Sequence, residues 1–221
     1  MRALAVVPAF REEEIIGDTV SSLLDLPGVE RVIVIDDASG DLTGRRADVA
    51  GANVVVNGSK LGKGGSLNRV LPHLRFEVLL LIDGDLGSYA AQAERILEPV
   101  LSGEADLSIA SFGALSGKGG LGLARGLGRA GVERLTGRRM QAPLSGQRAM
   151  TVDVFKAVSP FAPGFGMEVA MTIDALKAGL RVVEVETGMS HRETGRDLAG
   201  FIHRGKQFRD ILAALVRRSL K

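Results

Sequence analysis

The chain has 221 residues, 45% of them hydrophobic and 24% charged, the composition of a folded domain with one sizeable core rather than of a disordered or fibrous chain. It contains no cysteine, which excludes a disulfide framework and a thiolate metal site and leads us to expect a reducing, cytoplasmic setting. A net charge of +2, one tyrosine and no tryptophan argue against a nucleic-acid module. Arg2 and a short apolar run lead straight into Pro8 and a charged cluster, so no signal peptide is expected. No apolar run reaches the roughly 18–20 residues of a spanning helix.

In chain order, strands are predicted at 3–7, 32–35, 53–56, 78–82 and 106–110. Helices are predicted between them, at 12–26, 42–50, 65–74 and 89–101. Repeated strand–helix units with short connections predict an α/β fold, a mostly parallel sheet flanked by helices. The second half is less regular. Residues 113–122 carry five glycines and read as a loop, followed by a helical stretch to about Thr136 and a polar turn at 141–146. Helices are expected at 151–158 and 166–178, a half-exposed strand at 181–186, and a long amphipathic helix at 198–220. That last helix is expected to group Phe201, Phe208, Ile211, Leu212 and Leu215 on one side. With no internal repeat and no linker, a single domain is expected over 1–221.

The chemistry is read first at 78–85. Five branched apolar residues form a strand buried on both faces, and it stops on Asp83-Gly84-Asp85. Alternation along an extended chain turns residues i and i+2 to the same side, and Gly84 admits a close neighbour between the two carboxylates. Ligands of open α/β sheets sit at the carboxyl ends of strands, and a hard cation such as Mg²⁺ or Mn²⁺ takes one or two carboxylates plus phosphate oxygens. The plainer alternative is an Asp-Gly turn that caps the next helix. Three more polar groups follow strands: Pro8-Ala9-Phe10-Arg11-Glu12, Asp36-Asp37 and Gly62-Lys63-Gly64. The last is not a P-loop, because its spacing back to Gly58 is one residue short and Gly64 stands where Ser or Thr is needed. Lys63 still suits a diphosphate at a helix start. Basic residues gather in the second half, six against one acidic over 113–140 and eight against three over 192–221, which suits an anionic acceptor, a membrane surface or simply a solvated face.

Taken in this order, Pro8-Ala9-Phe10-x-Glu12-Glu13, Asp36-Asp37-x-Ser39, Gly62-Lys63-Gly64 and Asp83-x-Asp85 resemble the family-2-type glycosyltransferases of GT-A (Rossmann-like) fold. Within that family, Pro143-Leu144-Ser145-Gly146, the run from Phe161 to Glu168 and Ser190-His191-Arg192 are most similar to glucosyl-3-phosphoglycerate synthase-like enzymes, and less so to polyprenyl-phosphate sugar synthases. The resemblance implies a hexosyltransferase working from a UDP- or GDP-sugar, UDP-glucose first, with Mg²⁺ or Mn²⁺. Residues 1–110 would be the nucleotide-sugar half and 111–221 the acceptor half. It implies that Pro8, Ala9, Phe10 and Glu12 line the nucleoside and that Asp37 meets the base or ribose. Lys63 would reach the nucleotide, with Asp83 and Gly84 on the ribose side. Asp85 would ligate the metal with His191, and Glu168 would orient the sugar or acceptor or act as a base, unless it is only a first-turn helix glutamate. Lys118, Gly119, Gly120, Arg125, Leu144, Ser145 and Gly146 would form the acceptor side. The loop at 118–122 lacks the arginine and threonine with which those synthases grip an acceptor phosphate, which leaves an anionic small molecule and a lipid phosphate both open. Likeness to the phosphoglycerate synthases implies retention at the anomeric carbon, likeness to the polyprenyl enzymes inversion.

Other readings remain. A sugar-phosphate nucleotidyltransferase would carry a glycine-rich basic loop after the first strand, where this chain is acidic. A non-catalytic nucleotide-sugar binder would not need Asp85 and His191. The basic C-terminal helix suits peripheral membrane contact or a homodimer, but packing on its own domain is the expectation.

Overall fold

The computed structural model describes residues 1–112, 122–189 and 198–220, with side chains in the last stretch from residue 205 onward. Among the described residues seven strands form one sheet: β1 (Ala3–Ala9), β2 (Val29–Asp36), β3 (Asn53–Val56), β4 (Val78–Leu81), β5 (Leu107–Phe112), β6 (Arg148–Thr151) and β7 (Val182–Thr187). Their order is β3-β2-β1-β4-β6-β5-β7, and all neighbours run parallel except that β6 is antiparallel to both β4 and β5.

The alternation along β1 shows how the sheet is covered. Leu4 and Val6 join one buried layer, while Ala3, Ala5, Val7 and Ala9 join the other. On the second side lie α1 (Ile16–Leu24), α2 (Thr43–Val49) and α4 (Glu94–Leu101), through Ile16, Val20, Leu23, Ala47, Ile96 and Val100. On the first side lie α3 (Gly62–Val70), α5 (Gly122–Thr136), α6 (Val152–Val158), α7 (Met167–Lys177) and α8 (Leu198–Ser219). Buried on both faces, β4 needs no polar residue until its end, which is why its sequence is unbroken Val-Leu-Leu-Leu.

The order in the sheet fixes where a ligand belongs. From β1 the chain goes to β2 and β3 on one side, then returns to β4 on the other. The connections leaving β1 and β4 run to opposite sides of the sheet, and an open α/β sheet binds its ligands beyond the carboxyl ends of the strands at such a switch point. The residues after β1 and β4 therefore meet at the place where this fold type binds ligands.

Several expectations are corrected. The first helix starts at Ile16, because Glu12 closes a turn by accepting from the amides of Ile15 and Ile16. The segment expected to be helical from residue 89 is a 3-10 turn, Gly87–Ala93, before α4. Strand β6 was not foreseen, since four residues starting with Arg148 carry no strand pattern of their own. In α8 Ile211, Ala214 and Leu215 are buried against α5 and α7, but Phe208, Leu212 and Val216 are exposed, as is Leu220 just past its end. The helix docks through a narrower face than its apolar residues suggested, and Arg218 lies inside that face, paired with Asp174 at 2.6 Å. The side chain of Phe201 lies outside the described residues, as does the loop at 113–121. No described helix is long and apolar enough to cross a membrane.

Candidate active site

The wall after β1 is fixed by its own strained backbone. Arg11 adopts φ +60°, a left-handed conformation uncommon outside glycine, as does Ala38 after β2. Side chains hold both turns: the Arg11 amide donates to Ser39 Oγ at 3.0 Å, and the Glu12 amide to Thr43 Oγ1 at 2.9 Å. Ser39 itself is bonded to Asp36 through its amide and its hydroxyl. The half-exposed Phe10 ring carries Lys60 Nζ at 3.2 Å from its centroid and the Arg11 guanidinium at 5.2 Å. An aromatic face flanked by cations suits a nucleobase beside a diphosphate.

Asp37 is engaged by the protein on both oxygens. Asn57 Nδ2, the amides of Leu61 and Gly62, and Ser66 Oγ all donate to it, between 2.8 and 3.0 Å. Burial pushes its pKa up, but the Leu61 amide, Asn57, the Gly62 amide and Ser66 outweigh this and hold it below the ordinary value. In this structure the carboxylate braces the turn that opens α3, where unpaired helix amides need acceptors.

The turn after β4 is tied to α1. Thr19 Oγ1 donates to the Gly84 carbonyl at 3.0 Å and accepts from the Gly87 amide at 2.8 Å. A Cβ on Gly84 would lie 3.2 Å from Ala9 and 3.4 Å from Glu12 Cγ, so the residues after β1 and β4 touch across the switch point.

Asp83 is the hub. Its Oδ1 accepts from Lys63 Nζ at 2.6 Å and its Oδ2 from Gln147 Nε2 at 2.8 Å. Lys63 Nζ also lies 3.3 Å from Glu168 Oε1. Burial pulls the lysine pKa down, but Asp83 and then Glu168 more than reverse this and leave it raised. Four elements thus converge: α3 brings Lys63, β4 Asp83, α7 Glu168, and the turn into β6 Gln147. Gly146 closes the cluster, with space for a Cβ denied by Lys63 Nζ at 2.5 Å and Asp83 Oδ2 at 2.6 Å.

Of the acceptor-side residues read from the sequence, Gly146 meets the cluster directly and Ser145 Oγ bonds Gln147 Oε1 at 3.3 Å. Leu144 lies 3.6 Å from the position a Gly128 Cβ would take on α5, and Arg125 lies on the same helix. Lys118, Gly119, Gly120 and His191 lie outside the described residues. Sequence reasoning missed Gln147, fully buried beside Asp83, and Arg148, fully buried behind it. Their only signal was a polar pair just after the glycine that ends a stretch read as a turn.

The donor set is compatible with a divalent ion. Asp83 and Asp85, on either side of Gly84 after β4, are carboxylates at the switch point, and a hard cation takes one or two such groups together with diphosphate oxygens. Among the described residues no group of three or more His, Cys, Asp or Glu could hold an ion alone.

Residues 4–156 match the family described as "Glycosyl transferase family 2". Over 87% of its length the chain is 32% identical to "Glycosyltransferase AglJ" of Haloferax volcanii, and the match spans 64% of that protein. Over 96% of its length it is 32% identical to "Glucosyl-3-phosphoglycerate synthase" of Mycolicibacterium paratuberculosis, spanning 71% of that protein. "Undecaprenyl-phosphate mannosyltransferase" of Micrococcus luteus is 30% identical over 88% of the chain and 86% of its own length. Among solved structures, Mycobacterium tuberculosis glucosyl-3-phosphoglycerate synthase in complex with Mn²⁺, UDP-glucose and phosphoglyceric acid superposes with a TM-score of 0.79 at 29% identity, covering 98% of this chain and 79% of that one.

Proposed function

The chain belongs to glycosyl transferase family 2, and from that premise we propose that it moves glucose from UDP-glucose to a small phosphorylated acceptor with Mg²⁺ or Mn²⁺. The observation that carries the proposal is the Lys63–Asp83–Glu168 cluster at the switch point of the sheet, in a chain that superposes on a synthase holding that donor and that type of acceptor. On this reading residues 1–110 hold the donor and 111–221 the acceptor.

Pro8, Ala9, Phe10 and Glu12 line the nucleoside, and Asp83 orients the ribose while Lys63 and Gln147 keep its carboxylate still. Asp37 acts on the nucleotide by shaping the 57–62 turn as well as by any contact of its own. Asp85, with His191 from the far half, would hold the cation, which would supply positive charge for the leaving diphosphate. Lys63 stays protonated at neutral pH and adds a fixed positive charge beside that position. Glu168, held by Lys63 in the first turn of α7, is placed to orient the sugar or accept the acceptor's hydroxyl proton.

Thermal shift tests the donor half. Saturating UDP-glucose with Mn²⁺, at about 100 times Kd, should add about 3 kcal/mol and raise Tm by roughly 5–10 °C. Asp85→Ala should abolish the Mn²⁺-dependent part of the rise. No shift with any UDP- or GDP-sugar would refute the assignment.

One observation favours a second acceptor. Phe208, Leu212 and Val216 form an exposed row on α8, followed by exposed Leu220 just past its end, with Lys206, Arg209 and Arg217 exposed beside it. Such a surface suits anionic lipid, and the undecaprenyl-phosphate enzyme is matched over most of its length. Transfer to undecaprenyl phosphate but not to phosphoglyceric acid would select this reading.

A further inference from the structure

Beneath the acceptor side of the cluster lies a guanidinium that the reaction does not touch. We infer that Arg148 is a positioning residue, holding the 143–146 segment against Glu168 and the Lys63–Asp83 pair from inside the protein; this rests on the transferase reading above. Residues 147 and 148 project to opposite sides where the chain enters β6. Gln147 reaches Asp83, and Arg148 points the other way, with 0% of its surface exposed.

Among the described residues its hydrogen bonds run to the 143–145 segment and to α7. Nε donates to the Ser145 carbonyl at 2.8 Å and Nη2 to the Pro143 carbonyl at 3.0 Å. Nη1 donates to Thr172 Oγ1 at 3.0 Å, and that hydroxyl donates in turn to the Glu168 carbonyl at 2.9 Å. One buried group therefore ties the turn to the first residues of α7. The same turn is gripped from outside. Glu184 of β7 accepts from the amides of Gln141 and Ala142, and Arg129 of α5 donates to the Gln141 carbonyl at 2.6 and 2.8 Å. Side chains from three elements thus fix five backbone groups of a short segment.

The hydrogen-bond partners of Arg148 are neutral, so removing it leaves the buried Pro143 and Ser145 carbonyls without this donor, and a loss of stability accompanies any loss of positioning. Burial draws its pKa down to about 10, with Glu168 and Glu184 opposing, so it is charged at neutral pH. What the charge secures is the position of Gly146, which has no slack against Lys63 Nζ and Asp83 Oδ2. Displacements of about 1 Å near reacting groups can cost on the order of a hundredfold in rate.

The test compares wild type, Arg148→Met, Arg148→Lys and Glu184→Gln, each with UDP-glucose, Mn²⁺ and phosphoglyceric acid, alongside UDP affinity and Tm. A positioning role predicts UDP affinity within about threefold of wild type and kcat/KM for the acceptor at least about tenfold lower in Arg148→Met. Arg148→Lys should recover part of the loss, since an ammonium still reaches a carbonyl, and Glu184→Gln should lose less than Arg148→Met. A purely structural role would lower Tm and leave turnover per folded molecule unchanged, and that result overturns the inference. If Arg148→Met does not fold, wild-type turnover in folded Glu184→Gln overturns it equally. Wild type that is inactive with this substrate pair but active with undecaprenyl phosphate refutes the phosphoglyceric-acid reading alone, and the variants are then compared with that acceptor. Wild type that is inactive with both refutes the proposed function and the inference with it, and wild type that is active beside unaffected variants refutes the inference alone.

Discussion

Gly146→Ala puts the smallest probe into the tightest point of the site. The added methyl would stand 2.5 Å from Lys63 Nζ and 2.6 Å from Asp83 Oδ2, closer than nonbonded carbons approach such atoms. Lys63 is the flexible partner, so the ammonium should yield first. Moving it from 2.6 Å to about 3.6 Å from Asp83, at an effective dielectric constant of about 20, weakens their attraction by about 2 kcal/mol. Solvent relaxation will return part of this, so a loss of about 1–2 kcal/mol, or roughly 5–30-fold in kcat/KM, is expected. The sign of the pH effect follows from the same pair. Burial lowers the lysine pKa, Asp83 and Glu168 raise it further than that, and the net value lies above 10.5. The pair's stabilisation is complete below 10.5 and lost as pH rises through the folded value. In Gly146→Ala the folded value falls, so activity should begin to fail at a lower alkaline pH than in wild type. The assay is a pH–rate profile with Gly58→Ala as control, because a Cβ at Gly58 meets nothing within 4 Å. Wild-type kcat/KM and an unmoved alkaline limb in Gly146→Ala would refute the coupling of this turn to Lys63.

Asp37→Asn should destabilise the fold by about 1–3 kcal/mol at pH 7, because an amide cannot accept at both oxygens and leaves buried donors unsatisfied. The wild-type carboxyl has a lowered pKa, so its contribution is present above 3.8 and lost as pH falls through the folded value. Urea unfolding should therefore show the two proteins converging in acid below about pH 4. Arg218→Ala should cost about 2–3 kcal/mol, since it leaves Asp174 without its bidentate partner under α8. A shift below about 0.5 kcal/mol in urea would mean that α8 does not depend on that pair.

The donor side was legible because its signals are local. An uninterrupted apolar strand that halts on Asp83-Gly84-Asp85 states in one stretch both burial on two faces and a polar strand end. The same holds for Phe10 after β1 and Lys63 at the start of α3. What stayed hidden is how these groups are used. Asp37 reads as a ligand contact by position, yet its four donors come from the 57–66 stretch, and no periodicity reveals which carboxylate a later turn will claim. In α8 the apolar residues were visible, but the docking face was decided by partners far away, by Gly131 beneath Leu215 and Asp174 beside Arg218.

The acceptor side was hidden for one topological reason. Strand β6 enters the sheet antiparallel between β4 and β5, although it follows both in the chain. Running against β4, it pairs its first residue, Arg148, with Leu81 at the carboxyl end of β4, so the residues just before it, Ser145 to Gln147, arrive beside Asp83. A parallel strand in that slot would bring its carboxyl end there instead, and the turn at 141–146 would lie at the opposite edge of the sheet. The reversal of one four-residue strand therefore delivers Gln147 to Asp83, sends Arg148 behind it, and sets Gly146 against Lys63. A strand so short gains its stability from its two neighbours rather than from its own sequence, which is why reading it required the sheet.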